Sequence, residues 1–163
     1  MKKGLIIMLC GLPGSGKTTL AKELEIKRKA IRLCPDEWIV AILENDFKMS
    51  VADKIRAPLE KYLLKQAIKI ANLGNDVILE NGFWTISDRT YYREFIEKAG
   101  LEVYLYYLYS PLNILKKRVN ERNQEKYMFK VQAYNLDHWN KIFEEPKEDE
   151  EKLYKYFEKI NSF

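Results

Sequence analysis

The residues with the clearest chemical purpose lie in a glycine-rich loop near the start of the chain. Residues 11–18 read G-L-P-G-S-G-K-T and match the pattern G-x-x-x-x-G-K-[ST]. Glycines let a backbone wind so closely around phosphates that several N–H groups point inward, and a helix that follows aims its positive end at the same anion. The apolar run 5–9 before the loop predicts a buried strand. We therefore predict that the loop binds a nucleoside triphosphate.

The polar residues of this loop have separate predicted roles. Lys17 would reach the β- and γ-phosphates as a mobile point charge, and the hydroxyl of Thr18 would ligate the Mg²⁺ that bridges them. The expected cofactors are ATP and Mg²⁺. A guanine-selective switch is not expected, because the sequence contains no N-K-x-D element of the kind that resembles guanine readers. The predicted nucleotide-binding residues are Gly11, Pro13, Gly14, Ser15, Gly16, Lys17, Thr18 and Thr19.

Two carboxylates follow predicted strands and are candidates for the chemistry. Asp36 comes just after the second predicted strand, so it could take a proton from an attacking hydroxyl at the rim that carries the loop. The alternative is that Asp36 only caps the helix that begins near Glu37. Glu80 ends the third predicted strand, where phosphate-loop proteins commonly keep an acidic residue, usually Asp, that orients Mg²⁺. We predict Thr18 and Glu80 as the metal-binding pair.

Two arginines on a later helix are candidates for stabilising the transferred group. Arg118 and Arg122 are four residues apart, which places both guanidinium groups on one helix face, next to a basic, polar stretch at 120–130. Such a pair can neutralise charge on the γ-phosphoryl group during its transfer. The alternative is an exposed basic face paired with Glu121 and Glu125. The predicted catalytic residues are Lys17, Asp36, Arg118 and Arg122.

The residues that would contact a second substrate are marked less clearly. Phe83 and Trp84 follow Glu80 along the same rim and either line an acceptor pocket or pack in the core. Three further arginines either hold an anionic acceptor or belong to the surface: Arg56, Arg89 and Arg93. The one histidine, His138, lies far downstream beside Trp139, where a surface or packing role outweighs catalysis.

The elements that must position these residues alternate between strands and helices. Strands are predicted at 4–10, 30–33, 77–79 and 101–109, and helices at 16–28, 36–43, 51–74, 85–99 and from 111 onward. We expect Pro58 to kink or restart its helix, 131–144 to be helical, 144–151 to be a solvated acidic turn and 153–160 to be an edge strand rather than a helix. This alternation predicts a parallel sheet with helices on both faces and ligands at the carboxyl ends of the strands.

Length and composition bound the remaining possibilities. A chain of 163 residues fits one domain, 1–163, with a small lid around 120–130. No apolar run approaches the roughly 20 residues of a membrane span, and the short run before the loop is unlike a signal peptide, so the expected location is the cytoplasm. Cys10 and Cys34 each end an apolar run and are expected to be free thiols. The net charge of +4 neither requires nor excludes nucleic acid.

With these motifs, the chain resembles a group of small P-loop kinases that includes the polynucleotide 5′-hydroxyl kinases, chloramphenicol phosphotransferase and zeta-toxin-like kinases, often labelled AAA-type ATPases. The resemblance spans nearly the whole chain and rests on residues 11–19, 33–38, 118–123 and 143–146 with the acidic residues that follow. It implies an α/β P-loop NTPase fold, a three-layer sandwich with a five-stranded, mostly parallel sheet in the kinase-type order 2-3-1-4-5. It also implies Asp36 as the carboxylate that activates the acceptor, and Arg118 and Arg122 as arginines that close over ATP.

The expected activity is that of an ATP-dependent phosphotransferase that moves the γ-phosphoryl group to a hydroxyl of a small molecule or of a nucleic-acid 5′ end. Kinship of this kind indicates the reaction and leaves the acceptor open. The alternative is a nucleotide-binding switch or slow ATPase that acts through a protein partner. The position of Asp36 on the sheet rim favours the kinase, and neither a membrane nor an obligate protein partner is expected.

Overall fold

A computed structural model describes residues 2–44, 47–124 and 130–162. The strands within these ranges are β1 (Ile6–Cys10), β2 (Ile31–Leu33), β3 (Val77–Gly82), β4 (Val103–Tyr109) and β5 (Tyr156–Asn161). The helices are α1 (Lys17–Arg28), α2 (Pro35–Leu43), α3 (Met49–Asn72), α4 (Ile86–Lys98), α5 (Leu112–Arg122), α6 (Asn135–Ile142) and α7 (Glu148–Glu151).

The strands form one parallel sheet in the order β2-β3-β1-β4-β5. β1 lies at the centre because it consists of apolar residues that the sheet and its covering helices bury completely, each at 0% exposure. Parallel neighbours need long connections, which the intervening helices provide. The predicted fold class, the strand order and the strand near the end of the chain are confirmed, and every strand pairing is parallel.

Helices cover both faces of this sheet. Successive side chains of a strand point to opposite faces, so β1 contributes to two cores. Ile6 and Met8 pack on one face with α3 and α4, whereas Ile7 and Leu9 pack on the other face with α1. The result is the three-layer arrangement that the sequence pattern predicts.

Two local expectations differ from the structure. Helix α3 does not restart at Pro58 but continues through it, because Ala52 before it and Leu63 and Leu64 after it are all buried and hold both halves of the helix to the core despite the missing backbone N–H. The acidic stretch 144–151 is not simply a solvated turn. It contains the short helix α7, and Glu150 of that helix is buried against Arg89.

The predicted lid lies partly outside the described residues, which stop at 124 and resume at 130. The segments before and after this gap are joined by two hydrogen bonds. The Asn123 side chain donates to the Val131 carbonyl at 2.6 Å and accepts from the Val131 N–H at 3.0 Å. The assignment of 1–163 to one domain remains a prediction. Among the residues described, no helix has the length and apolar character needed to cross a membrane.

Candidate active site

A cleft of about 1470 Å³ opens at the carboxyl ends of the strands. Segments that follow β1, β2 and β3 meet there with residues from α3, α5 and α6. The predicted site residues that line it are Pro13, Gly14, Gly16, Lys17, Thr18, Thr19, Asp36, Glu80, Arg118 and Arg122. The other two, Gly11 and Ser15, are buried within the loop beneath the lining.

The glycine-rich loop has the backbone shape that a phosphate cradle requires. Gly14 and Gly16 have φ values of +84° and +94°, which residues with a Cβ rarely adopt. A Cβ on Gly11 would lie 2.6 Å from the Leu108 carbonyl oxygen, so a larger residue would push the loop off β4. Helix α1 begins at Lys17, and none of the described side chains caps it. Its first N–H groups and its dipole are therefore directed at the position where phosphates would bind.

Lys17 lies inside the loop rather than extending into solvent. Its Nζ donates to the carbonyl oxygens of Gly11 at 2.8 Å and Leu12 at 2.9 Å. Burial lowers the pKa of Lys17, and the negative charge of Glu80 opposes that shift. An incoming phosphate would offer this poorly solvated ammonium a stronger partner than two carbonyl oxygens.

The two predicted metal-binding residues are in direct contact. The Thr18 hydroxyl donates to Oε1 of Glu80, and the other carboxylate oxygen accepts from Nη1 of Arg32 at 2.8 Å. Hydroxyl and carboxylate oxygens are the donors that Mg²⁺ prefers. The pair therefore fits a magnesium ion, and Arg32 fixes the carboxylate that would hold it. Arg32 is not among the residues predicted from the sequence, although it stands between the two apolar residues of β2.

Asp36 faces the cleft from the first turn of α2. The N-cap of that helix is Cys34, and no side-chain hydrogen bond caps it, so the expectation that Asp36 caps the helix is wrong. Pro35 occupies the first helical position, so α2 starts one residue earlier in the chain than the predicted start at Asp36. The Asp36 carboxylate instead accepts a hydrogen bond from Nη2 of Arg56 in α3, at 2.6 Å.

Arg118 and Arg122 come from one face of α5, as their spacing predicts. Nη1 of Arg118 donates to the Gly14 carbonyl at 3.3 Å, which attaches α5 to the loop. The Nε of Arg122 is buried and has no hydrogen-bond partner in the described part of the chain. A buried donor without a partner costs free energy, and an anion in the cleft that accepted a hydrogen bond from Arg122 would remove that cost.

Two serines that follow β4 and β5 support the glycine-rich loop by hydrogen bonds. The Ser162 hydroxyl, just after β5, donates to the Ser15 carbonyl at 2.6 Å. The Ser110 hydroxyl, after β4, in turn donates to the Ser162 carbonyl. Neither Ser110 nor Ser162 is predicted from the sequence, because single hydroxyls after strands carry no recognisable signal.

Residues 6–146 match the family described as AAA domain. The chain belongs to the AAA domain family. None of the curated protein sequences matches it.

Solved structures share the fold of this AAA domain at low sequence identity. A presumed kinase from Chloroflexus aurantiacus is 16% identical with a TM-score of 0.79, over 99% of this chain and 86% of that chain. A gluconokinase from Sinorhizobium meliloti is 18% identical with a TM-score of 0.68, over 99% and 83%. APS kinase from Mycobacterium tuberculosis, in complex with AMPPNP and APS, is 20% identical with a TM-score of 0.66, over 98% and 90%. The predicted P-loop kinase fold is thereby confirmed.

The aromatic residues after Glu80 divide between the two roles considered for them. Phe83 is 3% exposed and packs edge-on against Tyr92, with ring centroids 5.0 Å apart, so it belongs chiefly to the core of the AAA domain. Trp84 lies in the wall of the cleft, where the centroid of its ring is 5.2 Å from the ring centroid of Trp139 in α6. Trp84 and Trp139 thus provide an apolar wall for a ligand.

The other candidate residues take different positions. Arg89 is fully buried and paired with Glu150 at 2.5 Å, so it is not available to an acceptor in the cleft of the AAA domain. Arg93 pairs with Glu97 at 2.6 Å, one turn further along α4, and does not line the cleft. His138 is exposed on α6, as expected for a surface role. Arg56 is the member of the arginine trio that lines the cleft.

Proposed function

We propose that this AAA domain is an ATP-dependent kinase that transfers the γ-phosphoryl group to a hydroxyl of a small molecule or of a nucleic-acid 5′ end. The observation that carries the proposal is that the phosphate loop and the Asp36 carboxylate open into the same cleft. A switch or simple ATPase needs the loop but has no use for a carboxylate on the acceptor side. The printed names of the structural neighbours, a gluconokinase and an APS kinase, support the same reaction type.

The proposed binding of ATP and Mg²⁺ uses the loop and its contacts. The loop N–H groups and Lys17 would hold the phosphates, and Thr18 and Glu80 would hold the metal ion. When bound, Mg²⁺ would neutralise charge on the β- and γ-phosphates. Arg122, with its unpaired Nε, would donate to the transferred group, and Arg118 would keep α5 against the loop. The two buried free thiols, Cys10 and Cys34, are in keeping with a cytoplasmic setting.

The proposed transfer places the acceptor between Asp36 and the γ-phosphoryl group. The acceptor oxygen forms a bond to the γ-phosphorus, the bond from that phosphorus to the bridging oxygen of ADP breaks, and the hydroxyl proton passes to Asp36. Arg56 holds the Asp36 carboxylate in one orientation, which reduces the freedom lost when the acceptor binds. The protein thus contributes mainly positioning and electrostatic stabilisation, as phosphoryl transfer requires.

Two measurements test this function. Titration calorimetry should detect Mg-ATP binding to the wild type, no binding to Lys17→Met and unchanged binding to Lys27→Met, an exposed lysine of the same helix. ADP release should then be measured with a panel of hydroxyl compounds and 5′-hydroxyl oligonucleotides. A kinase responds to particular members of the panel. Slow release of ADP that no acceptor accelerates would instead support the switch or ATPase.

A further inference from the structure

The part of the cleft beyond Asp36 is formed largely by one face of α3. Met49, Asp53, Arg56 and Glu60 follow one another at intervals of three or four residues, so they share one side of the helix, and all four line the cleft. The start of α4 adds Asp88 to the same lining. We call this region, defined by Asp36, these four α3 residues and Asp88, the acceptor bay.

Negative charge predominates in the acceptor bay. Four carboxylates, Asp36, Asp53, Glu60 and Asp88, face a single guanidinium. That guanidinium, Arg56, lies 2.6 Å from Asp36 and 3.6 Å from Glu60, so carboxylates of the protein already balance its charge. Among the residues that the structure describes, the remaining cations of the cleft belong to α1, to α5 and to the segment before Val131: Lys17, Lys22, Arg118, Arg122 and Lys130.

Two carboxylates of the bay, Asp36 and Asp88, are close enough to Glu60 to affect its protonation. Burial raises the pKa of Glu60, Arg56 opposes this shift, and the negative charges of Asp36 and Asp88 add to it. An anionic acceptor would increase this repulsion, and the phosphates of ATP would add further negative charge next to it. A cationic group would instead reduce the repulsion.

Two uncharged features of the wall suit the same kind of ligand. Trp84 and Trp139 present indole rings, whose faces attract organic cations. Asn81 is one of the residues that line the cleft. Its Oδ1 is buried and accepts no hydrogen bond from any described group, so it can accept one from a ligand N–H or O–H.

We infer that the phosphoryl acceptor is a small hydroxyl compound that carries a protonated amine, such as an amino sugar or amino alcohol, because four carboxylates, one already paired guanidinium and an indole wall surround its position. This inference rests on the proposed function and narrows it. It excludes anionic metabolites and nucleic-acid 5′ ends as the preferred acceptors. The amine lies in the acceptor bay, and a hydroxyl of the same molecule faces Asp36.

A charge series at nearly constant size tests the inference. D-glucosamine, D-glucose and D-gluconate are of nearly equal size and differ in charge, D-gluconate being open-chain as well, and tobramycin adds a larger compound with several amines. Binding is measured by tryptophan fluorescence with AMPPNP and Mg²⁺ present, because Trp84 and Trp139 line the cleft. ADP release with ATP is measured for the same compounds. The variants are Glu60→Gln and the combination Asp53→Asn, Glu60→Gln and Asp88→Asn.

The amines should bind the wild type about 10-fold more tightly than D-glucose, and D-gluconate should bind most weakly. The triple variant should lose this preference for amines, and Glu60→Gln should lose part of it. The control variant Glu94→Gln should keep the preference, because Glu94 lies on α4 outside the cleft lining. The inference is overturned if D-glucose or D-gluconate binds as tightly as the amines, or if no amine binds the wild type better than the triple variant.

The same data separate this inference from the proposed function. If calorimetry detects no Mg-ATP binding, the kinase proposal fails, whatever the amines do. If Mg-ATP binds and the charge series shows no preference for amines, only the acceptor class is wrong.

Discussion

Nη2 of Arg56 lies 2.6 Å from Oδ1 of Asp36, which joins the start of α2 to the middle of α3 at the wall of the cleft. The two residues are 20 positions apart, and the ion pair is partly exposed, with Asp36 at 47% and Arg56 at 31% side-chain exposure. Such a pair contributes little to stability. Its value lies in orientation, because the carboxylate that faces the acceptor is held in one position.

Replacement of Asp36 by Asn should separate catalysis from nucleotide binding. An amide cannot take up the hydroxyl proton, so acceptor-dependent ADP release should fall about 100-fold while the Kd for Mg-ATP stays within about twofold. Steady-state kinetics and calorimetry measure the two quantities. Asp137→Asn, an exposed carboxylate of α6 paired with Lys116, should change neither. Full activity of Asp36→Asn would show that Asp36 is not the base.

Binding of ATP should take up protons at alkaline pH. Burial lowers the pKa of Lys17, so its ammonium loses a proton at a lower pH than an exposed lysine does. Below that pKa, Lys17 is charged before and after binding, and no proton is taken up. As pH rises toward the lowered pKa, Lys17 becomes neutral in part of the free protein and must take up a proton when the phosphates bind. The affinity for ATP therefore falls, and proton uptake accompanies binding.

Calorimetry in two buffers with different ionisation heats measures this uptake. Lys17→Arg should abolish it because an arginine remains protonated throughout the range. Lys27→Met should preserve it, since Lys27 is exposed at the far end of α1. Equal uptake by Lys17→Arg and the wild type would assign the proton to another group.

Removal of one partner from the buried pair of Arg89 and Glu150 should cost far more stability than removal of a surface pair. Arg89 is 0% exposed and donates through Nε and Nη2 to Glu150, and through Nη1 to the Phe83 carbonyl at 3.0 Å. Arg89→Met would leave a buried carboxylate without its cation. We expect the free energy of unfolding to fall by about 3–5 kcal/mol in chemical denaturation.

Two further variants distinguish this interpretation from simple loss of packing. Arg89→Met combined with Glu150→Leu should recover much of the lost stability, because no unpaired charge remains. Arg93→Met should cost no more than about 1 kcal/mol, since the ion pair of Arg93 with Glu97 is partly exposed. A double variant as unstable as Arg89→Met would indicate that the buried pair acts through packing alone.

Neither cysteine should react in the folded protein near neutral pH. Burial raises the pKa of Cys10 and of Cys34 from the ordinary value of 9.0 to about 12. A thiol reagent at pH 8 should therefore label both residues in guanidinium chloride and neither in the native state. Because the folded state keeps these protons longer, the stability they contribute is complete below pH 9 and is lost as pH rises toward 12. Rapid native labelling of Cys10 would contradict its burial in β1.

Local sequence signals were sufficient for much of the fold and part of the site. The G-x-x-x-x-G-K-[ST] pattern located the loop, because its glycines and lysine are needed at fixed spacing. Apolar runs located the strands, and Arg118 and Arg122 share a face because four residues make about one helical turn. Helix α4 begins at Ile86, within one residue of the predicted start, because the Thr85 side chain caps it by accepting from the Asp88 N–H.

Contacts between distant residues had no local signal and could not be predicted. Arg89 and Glu150 are 61 positions apart, and Glu150 lies in a run of acids that resembles a solvated turn. Arg32 is held to Glu80 only because β2 and β3 are neighbours in the sheet. The acceptor bay likewise depends on the direction in which α3 crosses the sheet, which the apolar periodicity of that helix does not give.

The hydrogen bond from Ser162 to the Ser15 carbonyl has a consequence for protein synthesis. The ribosome produces the nucleotide loop early, but the residue that supports it emerges 147 positions later. A nascent chain that ends before β5 therefore carries the complete loop sequence without its support. ATP affinity should develop only after translation has passed β5, so the loop becomes functional only when a much later part of the chain has been synthesised.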